Sequence, residues 1–390
     1  MRAALLNAIN APLSIEHVEL APPSRGEILM RIGASGVCHS DTFILDGQAV
    51  YPLPVIPGHE GAGTVEEIGL GVEGIAVGDH AVLAFRPQCG RCEQCTRGRP
   101  VLCTGHTTPA SGMFDGTARV TRDGVPVAVA SRLGTFSEYV VAPAEQVIPI
   151  REDVPMDVLA LIGCGVTTGF CAVTNAARVE PGASVAIIGC GGVGLCSVMA
   201  ASLVGARHIV AIDVRDAKLE LARELGATAT LNTLSIAKSA DPAERNRIAL
   251  EALRDMTGGG VDYAIEVTGI PDCIELAIES LRPRGTAIVV GLGFGQRRPT
   301  FDPLAAIFKE RTIKGSWYGT ARPRVDFPLI AGFYAAGRLP LDRLVSKRFS
   351  LDGVNDAFEA LHSGDVARCV VMFNGERPRE SVATAAGAAR

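Results

Sequence analysis

Ala186-Ile187-Ile188-Gly189-Cys190-Gly191-Gly192-Val193-Gly194-Leu195 decides the fold of the middle of this 390-residue chain. An apolar run enters Gly-x-Gly-x-x-Gly, and Leu195 to Val204 can continue as a helix. Ser184 to Ile188 has the pattern of a short buried strand. His208-Ile209-Val210-Ala211-Ile212-Asp213 is a second strand, ending in an acid about twenty residues on, as the dinucleotide fingerprint requires. Gly189 permits a tight turn, Gly191 lets the backbone approach a pyrophosphate, and Gly194 lets helix and strand pack closely. Gly192 and Val193 open the helix, whose free N–H groups and positive dipole end face the phosphates. A carboxylate at Asp213 accepts hydrogen bonds from ribose hydroxyls and repels a 2′-phosphate, so the reading is NAD rather than NADP. The competing reading is a glycine-rich turn that binds nothing. Strand, glycines, helix, second strand and acid falling in order argue against it.

The region after this turn keeps its alternation. Val166 to Val179, Lys218 to Leu225 and Ile274 to Leu281 read as helices, and Ala264–Val267 and Ala287–Val290 as buried strands. Such alternation predicts a doubly wound parallel sheet. The first 150 residues differ. Ile28–Ile32, Gly63–Ile68, His80–Ala84 and Phe136–Val141 are short Val/Ile-rich runs between Gly- and Asp-bearing turns, the signature of a distorted β-barrel or sandwich. Residues 104 to 135, with Gly112, Gly116, Gly124 and Gly134 scattered along them, read as a long loop or hairpin. Past residue 310, Phe327–Ala336 and Val354–His362 suggest helices, and Val370–Phe373 a closing strand. The polar, Ala-rich stretch 374–390 predicts a disordered tail.

Composition narrows the function. Hydrophobic residues make up 47% and charged residues 20%, ordinary for a globular protein. A net charge of −5, with no basic run longer than Arg297-Arg298, argues against nucleic acid and an anionic membrane surface. No apolar run is read as long enough to span a membrane, and Met1–Ile9 reads as an opening strand rather than a signal peptide. Eleven cysteines, several clustered, suit a reducing cytoplasm and metal binding rather than a disulfide framework.

Two cysteine clusters carry metal chemistry. Cys89-x2-Cys92-x2-Cys95-x7-Cys103 can close a tetrahedral thiolate shell around zinc within one loop, leaving no open position, so the site is structural. A zinc ribbon for nucleic acid is the rival, disfavoured by the acidic chain and the uneven spacing. The second cluster is dispersed over Cys38-His39-Ser40-Asp41, Gly58-His59-Glu60 and Gly163-Cys164-Gly165. Two thiolates and one imidazole with a free fourth position make a catalytic zinc site. Spacing alone does not bring them together, and each residue separately suits a protein core.

These motifs, in this order, resemble the zinc-dependent medium-chain alcohol dehydrogenases from Met1 to about Phe373, most closely the branch of liver-type and glutathione-dependent formaldehyde dehydrogenases. The resemblance implies a GroES-like distorted β-barrel catalytic domain, residues 1–165 and 310–373, with an inserted Rossmann domain at 166–309. It implies two zinc ions per chain, a catalytic one on Cys38, His59 and Cys164 and a structural one on Cys89, Cys92, Cys95 and Cys103. It places Ser40 in the proton path, Asp41 behind His59, Glu60 close behind the metal and His39 near the phosphates. It places Lys218 near the adenosine ribose, Arg368 near the pyrophosphate and Val290 in the cofactor cleft.

The implied reaction is hydride transfer between a primary alcohol or aldehyde and NAD, in a cytoplasmic homodimer. Two positions depart from the branch: Phe43 stands where liver-type enzymes end their proton relay in histidine, and Thr107 where glutathione-dependent members carry arginine. Thr107 disfavours a glutathione adduct as substrate. Phe43, Phe85 and Trp317 suit an apolar pocket for a larger or aromatic alcohol, and equally plain core packing. Alternatives are a thiol-adduct formaldehyde dehydrogenase, a nicotinoprotein that keeps its NAD, and a catalytically silent binding protein on the same fold. The complete ligand set argues against the last.

Overall fold

The computed structural model describes residues 1–373, apart from 152, 238–240, 294 and 296; the tail expected at 374–390 lies outside the described residues. The parallel sheet runs in the order Ala229–Asn232, His208–Asp213, Ser184–Ile188, Val261–Glu266, Leu281–Val289, Thr312–Gly315. Numbered along the chain this is 3-2-1-4-5-6, the doubly wound order with its switch point between the first and fourth strands. The three central strands are almost wholly buried Val, Ile and Ala, as a sheet covered on both faces demands.

The first domain holds a seven-stranded sheet. The 11-residue strand Glu27–Val37 is its hub and pairs antiparallel with Glu60–Ile68, Tyr139–Pro143 and Arg368–Met372. The last pairing matters most: Cys369 lies opposite Val37, so the end of the described chain completes a sheet begun near its start. The parallel strand Val345–Ser350 reaches Arg368–Met372 through the helix Val354–Ser363. The expected loop or hairpin after the four cysteines contains the hairpin Val120–Arg122 and Val125–Val129. Its turn is Asp123-Gly124, both at positive φ, the favoured chemistry for a two-residue connection.

Three expectations need correction. A continuous helical stretch runs over Met156–Ala177, beginning ten residues before the expected Val166, so a domain boundary at 165/166 would cut a helix. The stretch is long and apolar enough to cross a membrane by length and composition, contrary to the sequence reading. Its residues are spent on the core instead: Leu159, Ile162, Phe170 and Val173 pack in one cluster with Val185, Leu195, Val198 and Phe327. Finally, Thr312–Gly315 pairs with Leu281–Val289, so the parallel sheet extends past the expected boundary at 309/310.

Gly194 shows how tightly the nucleotide turn is built. A Cβ there would lie 1.7 Å from the Gly189 carbonyl oxygen, which is backbone and cannot yield. At Gly191 a Cβ would meet nothing within 4 Å. Gly194→Ala is therefore expected to cost about 1–3 kcal/mol and to lower Tm in a thermal melt, while Gly191→Ala leaves Tm close to that of the parent. Equal melts for the two variants would show that the turn is not close-packed.

Candidate active site

Cys38, His59 and Cys164 come from three separate elements. Cys38 is the residue before the short helix His39–Leu45, and His59 immediately precedes the strand Glu60–Ile68. Cys164 sits in a π-helical turn, Ile162–Val166, inside the long helix, a feature common at functional sites. The glycines beside it explain the close approach. A Cβ at Gly163 would press on the Leu83 carbonyl at 3.0 Å, and one at Gly165 on Arg368 Nη1 at 2.9 Å. One donor atom from each of Cys38, His59, Glu60 and Cys164 lies within 4.8 Å of the others. The dispersed residues are thus assembled, with Glu60 beside them.

The imidazole is held for ligation. His59 Nδ1 hydrogen-bonds Asp41 Oδ1 at 2.8 Å, and Asp41 also accepts from the Cys38 and Gly58 amides at 3.2 Å. A carboxylate on one ring nitrogen leaves Nε2 for a metal. Ser40 Oγ stands 3.3 Å from that Nε2 and 3.1 Å from Cys38 Sγ.

The Cys164 thiol bonded to Cys38 holds the Cys38 thiol well below its usual range despite burial, with His59 assisting. Sharing that contact with Cys38, together with burial, pushes Cys164 up. Burial opposes protonation of His59, but Asp41 and Cys38 raise it well above the usual imidazole range. Anionic sulfur, an oriented imidazole and a nearby carboxylate are a donor set that a divalent zinc ion satisfies.

Glu60 is fully buried and paired with the Arg368 guanidinium; burial lifts its carboxyl to about 7 against the pull of Arg368. Arg368 then reaches the nucleotide turn: a Cβ on Gly192 would lie 2.3 Å from Arg368 Cδ. Arg368 thus packs beside Gly192 of the glycine turn, with its charge already engaged by Glu60.

Asp213 closes the second strand as expected. Its Oδ2 accepts from the Cys190 amide at 2.7 Å, and its Oδ1 from the amides of Val214 and Arg215. Lys218 is half-buried on the helix Asp216–Glu224. Val290 is half-buried at the exit of its strand, its amide on the Glu266 carbonyl at 2.8 Å. His39 is exposed, its ring 6.2 Å edge-on from His362.

The four local cysteines gather as one shell, all four sulfurs within 4.8 Å. Cys92 Sγ and Cys103 Sγ lie 3.8 Å apart, the edge of a tetrahedron whose metal–sulfur bonds are about 2.3 Å. Backbone amides of Cys89, Cys92 and Gly105 point at the sulfurs of Cys103, Cys89 and Cys103, and a Cβ on Gly105 would strike Cys89 Sγ.

An aromatic layer covers the dispersed cluster. Phe85 stands edge-on to His59 with centroids 5.5 Å apart, and Tyr318 packs on Phe85 at 4.1 Å. Trp317 is 46% exposed, with the Arg86 guanidinium 4.3 Å over its ring. Phe43 is half-buried on the helix after Cys38. Sequence reading missed Tyr318, whose hydroxyl donates to the Gly163 carbonyl beside Cys164; no local motif announces a contact spanning 155 positions.

Comparison with known proteins agrees with this geometry. Residues 24–152 match the alcohol dehydrogenase GroES-like domain, and residues 192–335 the zinc-binding dehydrogenase domain. An alcohol dehydrogenase zinc-binding domain protein from Burkholderia ambifaria is 35% identical over 96% of this chain and 99% of its own, with a TM-score of 0.89. Benzyl alcohol dehydrogenase from Acinetobacter calcoaceticus is 31% identical over 95% and 99%, with a TM-score of 0.87. A zinc-binding dehydrogenase from Sinorhizobium meliloti 1021, bound to NADP, is 26% identical over 95% and 99%, with a TM-score of 0.75. With a GroES-like first domain, a nucleotide-binding second one and a Cys/His donor set between them, this chain is an enzyme of the zinc-binding medium-chain alcohol dehydrogenase family.

Proposed function

We propose that the chain oxidises primary alcohols, aromatic ones among them, to aldehydes with NAD, and runs the reverse reaction by the same groups. The observation that carries this is the bridge from cluster to cofactor turn: Cys38, His59 and Cys164 converge at Glu60, and Glu60 is joined through Arg368 to Gly192. Cys38, His59 and Cys164 would hold a zinc ion, which would supply Lewis-acid polarisation of the substrate oxygen, and a bound nicotinamide would supply the hydride acceptor.

The chain's own residues do the rest. Asp41 fixes the tautomer of His59. The Ser40 hydroxyl, beside the donors yet half-exposed, accepts the proton of the alcohol and passes it towards ribose, His39 or water. Phe85 and Tyr318 form the wall against which an aromatic alcohol packs. The glycine-lined turn lets a pyrophosphate approach, since space is open at Gly191. Asp213, already holding three amides, excludes a 2′-phosphate by like charge. The four-cysteine loop takes the second zinc and keeps its segment folded.

The outer strand Thr312–Gly315 supports a homodimer. Every one of its residues is exposed, and its free edge offers unpaired backbone groups. Leu304, Ile307 and Phe308 expose an apolar surface nearby, Phe308 being 81% exposed.

Zinc analysis of the purified chain is expected to give two ions per chain, with NADH formed on benzyl alcohol. Asp41→Asn should lower activity or zinc affinity about 10–100-fold. Cys164→Ser should lose one zinc and turnover, and Cys103→Ser the other zinc with a lower Tm. Zinc at the four-cysteine loop alone, without turnover, would overturn the assignment.

For the cofactor, kcat/KM should favour NAD over NADP by about 100-fold, about 2.7 kcal/mol of like-charge repulsion, and Asp213→Ala should narrow that ratio. A parent enzyme that prefers NADP sinks the reading of Asp213. For assembly, light scattering should return a dimer, and a doubly substituted chain with Phe308→Asp and Ile313→Lys a monomer; a monomeric parent contradicts the edge-strand interface.

A further inference from the structure

We propose that the substrate cleft carries an anion subsite made by Arg132 and Arg86, and that the alcohols this enzyme prefers bear a carboxylate at the end remote from the hydroxyl. This rests on the alcohol dehydrogenase reading and specifies its substrate class.

The observation is a buried positive charge without a counter-ion. Arg132 is 4% exposed. A buried guanidinium ordinarily has a carboxylate, and the others in this chain conform: Arg119 binds Glu27 twice and Asp115 once, and Arg368 binds Glu60. Among the described residues Arg132 has none. Its Nη2 donates to the carbonyl and hydroxyl of Thr108, its plane lies 5.0 Å from the Phe114 ring, and its Nε is buried without an acceptor.

Arg86 repeats the pattern. Nε and Nη2 reach only the carbonyls of Val101 and Cys103, at 3.3 and 3.4 Å, and the group caps Trp317. Burial, and then the charge of Arg86, draw Arg132 below the usual guanidinium range. Glu145 is taken by His106, which stacks on Phe114 at 3.7 Å.

The backbone points the same way. Ser131 and Arg132 are consecutive non-glycine residues at φ 56° and 63°, a conformation that persists only where the surroundings over-determine it. Here the Ser131 amide donates to Tyr51 Oη, Gln146 Nε2 donates to the Ser131 carbonyl, and the Arg132 amide donates to the Ala110 carbonyl at 2.8 Å. That turn holds Arg132 against the loop that follows the four cysteines.

Both arginines belong to segments that reach the reaction centre. Arg86 follows Phe85, which faces His59. Three residues past Arg132, the Thr135 amide donates to the Gly58 carbonyl, beside His59. A ring laid along Phe85 with its hydroxyl at the cluster has its far end on the Arg86 side, where a carboxylate replaces the missing counter-ion. Guanidinium is suited to this, being always charged and able to grip a carboxylate with paired N–H groups.

The test compares 4-(hydroxymethyl)benzoate with its methyl ester, near in shape but neutral, using the full-length zinc-loaded enzyme. kcat/KM should favour the carboxylate by about tenfold or more. The ratio should fall towards one in Arg132→Met and in Arg86→Met, and be partly kept in Arg86→Lys. Arg86→Met keeps the test open if the more buried Arg132→Met fails to fold. Calorimetric titration of both compounds reads the subsite even without turnover. Turnover of neither compound, with tight carboxylate binding lost in Arg86→Met, would sink the alcohol dehydrogenase reading and keep the anion subsite. Turnover of both with no preference, or a preference unchanged in both Met variants, overturns the subsite and spares the activity.

Discussion

The buried ion pair between Glu60 and Arg368 is the constraint on which the rest of the site depends. Glu60 begins the strand that follows His59, and Arg368 begins the strand that completes the first domain's sheet from the far end of the described chain. Neither side chain is more than 6% exposed. Removing one partner of such a pair leaves an uncompensated charge in the interior, at about 3–5 kcal/mol. Small residues crowd the pair because nothing larger fits: a Cβ on Gly36 would fall 2.0 Å from Glu60 Oε2, and one on Gly192 2.3 Å from Arg368 Cδ. One interaction therefore fixes three things together: the position of the zinc-donor cluster, the closure of the split domain and the seating of the nucleotide turn.

The charges around that pair are balanced for an added cation. Cys38 is pushed towards thiolate, Asp41 is buried on His59, and Glu60 is half-relieved by Arg368. Cys38 moves down and Cys164 up because the two thiols meet in a buried site. Two thiolates and a neutral imidazole cancel the formal charge of zinc, and Glu60 then needs only Arg368. The π-helical turn at Cys164 belongs to the same arrangement. A regular helix through Gly163-Cys164-Gly165 would place the sulfur elsewhere, and the flanking glycines remove the side chains that would block Leu83 and Arg368.

Local chemistry was legible in the sequence and long-range contact was not. The glycine turn, the four-cysteine loop and the alternation of strands and helices are written within short windows, where spacing fixes geometry. The helix Pro242–Thr257 was equally readable, with Asp241 capping its start and Gly258 at φ 71° closing its end, yet its apolar face is sparse and it escaped notice. The first turns of the long helix escape the periodicity that marks a surface helix because Met156–Leu161 is buried throughout, Asp157 included. The partner of Arg368, 308 positions away, cannot be read from spacing. Tyr318, Arg86 and Arg132 carry no motif. Their importance comes from what surrounds them, and for Arg132 from a counter-ion that is missing.

Arg132 survives without a carboxylate because its environment offers partial compensation to its outer nitrogen and ring-facing side. The Thr108 carbonyl and hydroxyl and the π-face of Phe114 are all electron-rich, and each stabilises a guanidinium by less than a carboxylate does. A resident carboxylate would be the more stable design. It would also occupy the N–H groups permanently, as Glu27 does for Arg119. A site that is electrostatically complete only when ligand arrives trades stability for recognition, and the left-handed Ser131-Arg132 turn adds strain to the same account. The fold can sustain this because its stability lies elsewhere, in the shared core around Phe170 and Phe327 and in the Glu60–Arg368 pair.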